Sequence, residues 1–104
     1  DVESLTRYMI QKNKPIGAIC IAPVMIAKIL QNLDRKGKVT GGFNEQILTD
    51  IESMGMITEK VNATEIVIDY ENKIVSTPAY VEANSIKEVS EGIEKLVDAV
   101  LSMV

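Results

Sequence analysis

The stretch Lys14-Pro15-Ile16-Gly17-Ala18-Ile19-Cys20-Ile21-Ala22-Pro23-Val24 decides the fold. Residues 15–20 are almost continuously apolar, which suits a short strand at the centre of a parallel sheet, covered on both faces. Ala22-Pro23 follows at once. Proline is favoured at the first position of a helix, where its missing N–H costs nothing. Residues 24–30 continue as helix, with Met25, Ile26, Ile29 and Leu30 on one side. A strand that runs straight into a helix forces a tight turn, and the residue at its apex projects from the C-terminal edge of the sheet. That residue is Cys20.

The flanking sequence extends this pattern. Val2, Leu5, Tyr8 and Met9 are spaced for a helix that Asn13 stops in a left-handed conformation. Lys38-Val39-Thr40 reads as a short strand ended by Gly41-Gly42. Asn44 caps a helix carrying Ile47, Leu48, Ile51 and Met54, and Gly55 ends it. Residues 57–61 are a further candidate strand. Residues 65–69 and 73–77 flank Tyr70-Glu71-Asn72 and read as a β-hairpin. Pro78-Ala79-Tyr80 leads to a long last helix opened by a Ser85/Glu88 capping box. Its apolar face is Ile86, Val89, Ile93, Leu96, Val97, Val100, Leu101 and Val104. Helix, strand, helix, strand, helix, hairpin, helix implies an α/β fold: a mostly parallel sheet with helices on its faces. Three or four strands are few for that design. The expectation is that residues 1–104 are the C-terminal half of one domain completed by an earlier half. A small complete domain is the alternative.

Composition narrows the function. The 104 residues carry a formal charge of -4, and the densest basic cluster, Asp34-Arg35-Lys36-Gly37-Lys38, reads as a loop. Nucleic acid, which calls for a basic stripe, is not an expected partner. A lone Cys excludes an internal disulfide and fits a reducing compartment. No charged leader with an apolar core is visible, and no run of about 20 apolar residues would span a membrane. Asn62-Ala63-Thr64 matches the glycosylation pattern but carries no weight without a secretory signal. The chain has no His. A self-contained Ser-His-Asp or Cys-His pair is therefore excluded, a zinc site is not expected, and neither metal nor cofactor is called for.

Two effects would activate a thiol at residue 20. The N-terminus of the following helix carries partial positive charge that favours thiolate, and the backbone N–H of Ile21 can meet a developing oxyanion. The plainer reading is a buried structural Cys at a strand end. Gly41 and Gly42 can offer bare backbone to a substrate, or simply end a strand. Thr77, Pro78 and Tyr80 follow a strand on the same sheet edge as Cys20 if the strands are parallel. They either line a pocket or form a turn with a packed ring. Glu45, Asp50 and Glu52 read as a solvated helix face, and the methionines as core.

The segment from Lys14 to Pro23 resembles the nucleophile elbow of the class I glutamine amidotransferase-like superfamily. More closely, it is similar to the enhancing lycopene biosynthesis (isoprenoid biosynthesis amidotransferase-like) family. Glu65-Ile66-Val67-Ile68-Asp69, Asn72-Lys73-Ile74-Val75, Thr77-Pro78-Ala79-Tyr80 and Gly92-Ile93-Glu94-Lys95-Leu96-Val97 look like that family too. The resemblance implies a flavodoxin-like three-layer fold of roughly twice this length, of which this chain is the C-terminal half. It implies Cys20 as nucleophile, with a Glu from the N-terminal half contacting the thiol. The late His of true glutaminases is missing, and Ile21 stands where the deglycase and glyoxalase branch often has a His. What remains is thiol-only, weak glyoxalase-like chemistry on a small carbonyl substrate such as glyoxal or methylglyoxal. A redox or stress-sensing cysteine and a non-catalytic module affecting isoprenoid output are the alternatives. The N-terminal half is the expected partner, and a homodimer is left open. The expected location is cytoplasmic, or mitochondrial if an N-terminal transit peptide precedes this chain.

Overall fold

The computed structural model describes residues 2–19, 22–78 and 85–104. Along the chain run α1 (Val2–Gln11), β1 (Ile16–Ile19), α2 (Ala22–Asn32), β2 (Lys38–Val39) and α3 (Glu45–Ser53). They are followed by β3 (Ile57–Thr58), β4 (Val67–Asp69), β5 (Ile74–Thr77) and α4 (Ile86–Ser102). The α/β reading holds. β1 pairs parallel with β5 and β2 parallel with β3. Among the described residues only the hairpin of β4 and β5 is antiparallel, with Asp69 opposite Ile74 and Val67 opposite Ser76.

Helix and turn boundaries follow local chemistry. Asn13 ends α1 at φ 59, and the Arg35 guanidinium donates to the carbonyl of Ile10 at 3.3 Å. Asn44 Oδ1 accepts the Ile47 N–H at 3.0 Å to open α3, and Gly55, at φ 87, closes it. Ser85 Oγ accepts the Glu88 N–H at 3.3 Å to open α4.

Adjacent residues of a strand point to opposite faces, and β1 shows what covers each. Ala18 is buried in a cluster with Ile10, Ile26, Ala27, Ile29, Leu30, Val39, Ile51, Met56 and Ile74. Its neighbour Gly17 lies under Leu96 and Val100 of α4. Helices therefore cover both faces, giving three layers. Gly92 brings the α4 backbone against Ala63 and the hydroxyl of Thr77, with no room for a Cβ.

The structure refines the sequence reading at four places. Among the described residues β1 has one neighbour, β5, in the order β1-β5-β4. α1 buries Thr6 and Ile10, whereas Leu5 and Tyr8 are exposed. The long apolar face of α4 is only partly used. Val89, Gly92 and Leu96 are buried, but Ile86, Val97, Leu101 and Val104 are 79%, 45%, 64% and 89% exposed. The strands are also shorter than read, since Lys73, at φ 56, belongs to the hairpin turn.

Candidate functional site

β1 ends at Ile19 and α2 begins at Ala22, with Pro23 in its first turn. The strand-to-helix junction expected from sequence thus spans positions 20 and 21. Cys20 and Ile21 themselves lie outside the described residues, as does Tyr80. What the structure describes is the frame around them.

That frame is set by register. Ile19 is paired with Thr77 in the parallel ladder, so β1 and β5 end together at one edge. β2 joins this arrangement through side chains. Asp69 Oδ2 accepts the Lys38 N–H at 2.9 Å, and Ser76 Oγ accepts the Thr40 N–H at 3.1 Å. Residues 38 and 40 thus follow residues 74 and 76 in the same direction, which brings Thr40-Gly41-Gly42 to the end of the sheet where Ile19 and Thr77 lie.

The residues read as pocket-lining have structural occupations there. Thr77 is fully buried, and its hydroxyl donates to the Glu65 carbonyl at 2.8 Å. Pro78 is buried as well. Gly41 lies against the side chain of Ile47 and accepts the Asn44 N–H at 3.4 Å. Gly42 takes φ 71, a conformation that favours glycine, and donates its N–H to Thr40 Oγ1 at 3.0 Å. Thr40 in turn donates its hydroxyl to the Glu59 carbonyl at 2.7 Å. The Gly41-Gly42 turn is therefore held from below by Thr40.

Sequence reasoning missed two features. Phe43, the sole Phe in the chain, stands 48% exposed directly after this turn. In so aromatic-poor a sequence, a lone Phe beside two glycines was the available signal. The other is the buried Asp69. Besides Lys38, its carboxylate accepts the Asn72 backbone N–H at 3.1 Å and the Asn72 Nδ2–H at 2.9 Å. Asn72 Nδ2 also donates to the Lys36 carbonyl at 2.9 Å. Asp69-Tyr70-Glu71-Asn72 carries the spacing of a side-chain-closed turn, a signal beyond that of the hairpin loop.

Two cavities among the described residues are lined by neither Ile19 nor Thr77. One, of about 260 Å³, sits by Lys36, Lys38, Asp69 and Tyr70 at the hairpin turn. Another, of about 550 Å³, is an apolar groove by Val24, Met25, Ile29 and Met54. Among the described residues no group of three metal-binding side chains occurs. No helix there is long and apolar enough to cross a membrane.

No family model matches the chain. Over 99% of its length it is 30% identical to the human glutamine amidotransferase-like class 1 domain-containing protein 3, mitochondrial, of which it covers 40%. It is 28% identical to the ES1 protein homolog, mitochondrial, of Rattus norvegicus, covering 41% of that protein. Its fold superimposes on the isoprenoid biosynthesis protein with amidotransferase-like domain from Ehrlichia chaffeensis. The TM-score is 0.85 at 28% identity, over 99% of this chain and 46% of the other. The chain is a relative of the amidotransferase-like class 1 proteins. Like the Ehrlichia protein, it has an amidotransferase-like, flavodoxin-like α/β architecture. It spans less than half the length of these amidotransferase-like relatives.

Proposed function

We propose that this chain is the C-terminal half of an amidotransferase-like class 1 domain in which Cys20 is the nucleophile for weak glyoxalase-like chemistry. The observation that carries this reading is the pairing of Ile19 with Thr77, with α2 starting at Ala22. It supports the reading because Cys20 follows Ile19 in the sequence and precedes a helix whose N-terminus favours thiolate.

In the proposed reaction the Cys20 thiolate adds to the aldehyde carbon of a small α-oxoaldehyde, forming a hemithioacetal. The proton on that carbon is removed by a base and returned to the adjacent carbonyl carbon. The enediol intermediate thereby becomes a thioester of a 2-hydroxy acid. Water cleaves the thioester, releasing the acid and regenerating the thiol. One water is consumed and no external oxidant is needed. The resemblance implies a Glu of the other half in contact with the thiol, and a carboxylate so placed is suited to act as the base in this proposal.

The linkage to isoprenoid biosynthesis rests on the description of the Ehrlichia relative. The mitochondrial names of the human and rat relatives favour the mitochondrial alternative over the cytoplasm. The test is conversion of methylglyoxal to lactate by the complete parent protein and by its Cys20→Ala variant. Turnover abolished in the variant is expected; equal turnover in both contradicts the proposal.

A further inference from the structure

The turn after β2 is anchored from three elements, yet it presents a large apolar side chain that the fold leaves half uncovered. The Asn44 N–H closes the turn by donating to the Gly41 carbonyl at 3.4 Å. Gly41 and Gly42 are buried, whereas Phe43 is exposed. Thr40 ties the base of the turn to β5 through Ser76 Oγ at 3.1 Å. Its hydroxyl reaches the carbonyl of Glu59, just past β3, at 2.7 Å and accepts the Gly42 N–H at 3.0 Å. On the third side Gly41 packs against Ile47 of α3 with no room for a Cβ, and Asn44 caps that helix. The backbone that carries Phe43 is therefore held in place.

Register gives the turn its place. The Thr40 N–H meets Ser76 Oγ, and Ser76 stands opposite Ala18 in the ladder of β5 and β1. Thr40 is thus level with Ala18. Strand residues advance by about 3.3 Å each, so Gly42 and Phe43 come level with the end of β1 at Ile19 or just beyond it. The face agrees as well. Adjacent residues of a strand alternate faces: Gly17 faces α4, whereas Ala18 packs in one cluster with Val39 of β2. The turn closes this end of the sheet on the side away from α4. Single exposed apolar side chains are ordinary on protein surfaces. This one differs in standing on an anchored turn at the strand ends that lead to Cys20, where a 48% exposed ring can still gain from an apolar group laid against it.

We propose that Phe43 is a specificity-determining residue of the Cys20 site, an apolar wall that favours α-oxoaldehydes with an aromatic or bulky apolar substituent over methylglyoxal. This rests on the glyoxalase-like reading above and narrows its substrate class. The aldehyde carbon meets the thiol, and the substituent on the adjacent carbonyl carbon lies against the Phe43 ring. Phe43 touches the part of the substrate that does not react, so it governs which substrate is taken and leaves the bonds made and broken as described above.

The test compares two alkylating agents, iodoacetamide and N-benzyl-2-iodoacetamide, on the complete parent protein, with the rate at Cys20 read by mass spectrometry. The two share a reactive carbon and differ in the benzyl group. Both meet the same thiolate, so their rate ratio cancels any change in thiol ionisation. Relative to glutathione, wild-type Cys20 is expected to prefer the benzyl reagent by about ten-fold, the scale of one apolar contact in a pocket. Phe43→Ala is expected to erase that preference, and Phe43→Leu, which keeps an apolar wall, to retain part of it. The ratio of kcat/KM for phenylglyoxal over methylglyoxal is expected to fall in the same order. A reactive Cys20 whose benzyl preference is the same in wild type and Phe43→Ala overturns the inference and leaves the reading of Cys20 standing. Equal slowing of both reagents with a lowered Tm in Phe43→Ala assigns the ring to packing and also overturns it. A Cys20 that reacts with neither reagent in the wild type overturns the reading, and the inference with it.

Discussion

Ile19 lies opposite Thr77 in the parallel ladder of β1 and β5, and the two ladders of contact on Thr77 have different jobs. Its backbone aligns the strand ends. Its hydroxyl ties the approach to β4 down through Glu65 at 2.8 Å. Thr77→Val keeps the shape and removes the hydroxyl. The expected outcome is a loss of about 1 kcal/mol in chemical denaturation with substrate affinity unchanged. Weakened substrate binding without lost stability would give Thr77 a direct role in the pocket.

Asp69 holds the hairpin turn and the start of β2 together. Asp69→Ala leaves the N–H groups of Lys38 and Asn72 without their acceptor. The expected cost is about 3 kcal/mol or more, since buried donors left unpaired cost more than the net worth of their bonds. Asp69→Asn retains an acceptor oxygen and is expected to cost less. Equal stability of wild type and Asp69→Ala in urea denaturation contradicts this role.

The two glycines at the contact between α4 and the sheet are expected to respond differently to Ala. In a helix, Gly→Ala gains about 1 kcal/mol of propensity, yet at Gly92 the new methyl meets the Ala63 carbonyl, and Thr77 Oγ1 lies at 3.0 Å. Backbone cannot yield cheaply, so Gly92→Ala is expected to destabilise by about 1–2 kcal/mol net. At Gly17 the obstacle is the far end of the Leu96 side chain, which can change rotamer, so Gly17→Ala is expected to be milder. Thermal denaturation of both variants checks the order; a stabilised Gly92→Ala contradicts it.

Asn44 carries the N-cap of α3 through its bond to the Ile47 N–H at 3.0 Å. Asn44→Ala is expected to lose about 1 kcal/mol. Because α3 follows Gly41-Gly42 and Phe43, faster exchange of the Ile47 amide is expected alongside. Unchanged exchange there shows that the cap is not what holds the turn.

Much of this architecture is legible in the residues because the signals are local. Asn13 and Gly55 mark helix ends by conformation, Asn44 and Ser85 by capping. The hairpin shows in the alternation around Tyr70-Glu71-Asn72. What was misread depends on partners distant in sequence. The continuous apolarity of β1 speaks of a central strand, and only strand pairing reveals that the described residues supply one of its neighbours. The apolar positions of α4 record every surface the helix covers, and the sheet here uses only part of them. The side-chain links from Asp69 and Ser76 to β2 join residues some thirty positions apart, which no local pattern encodes. For the candidate site, the junction between Ile19 and Ala22 and the common end of β1 and β5 could be read in advance. The support of Gly42 by Thr40 and the exposure of Phe43 could not.

The most direct test of the central claim is the pH dependence of Cys20 alkylation by iodoacetamide in the complete parent protein. An unperturbed thiol titrates near ~8.5. The account predicts thiolate reactivity that persists below that range, as helix N-termini produce in reactive cysteines. A normal titration, or no reaction at all, contradicts Cys20 as an activated nucleophile.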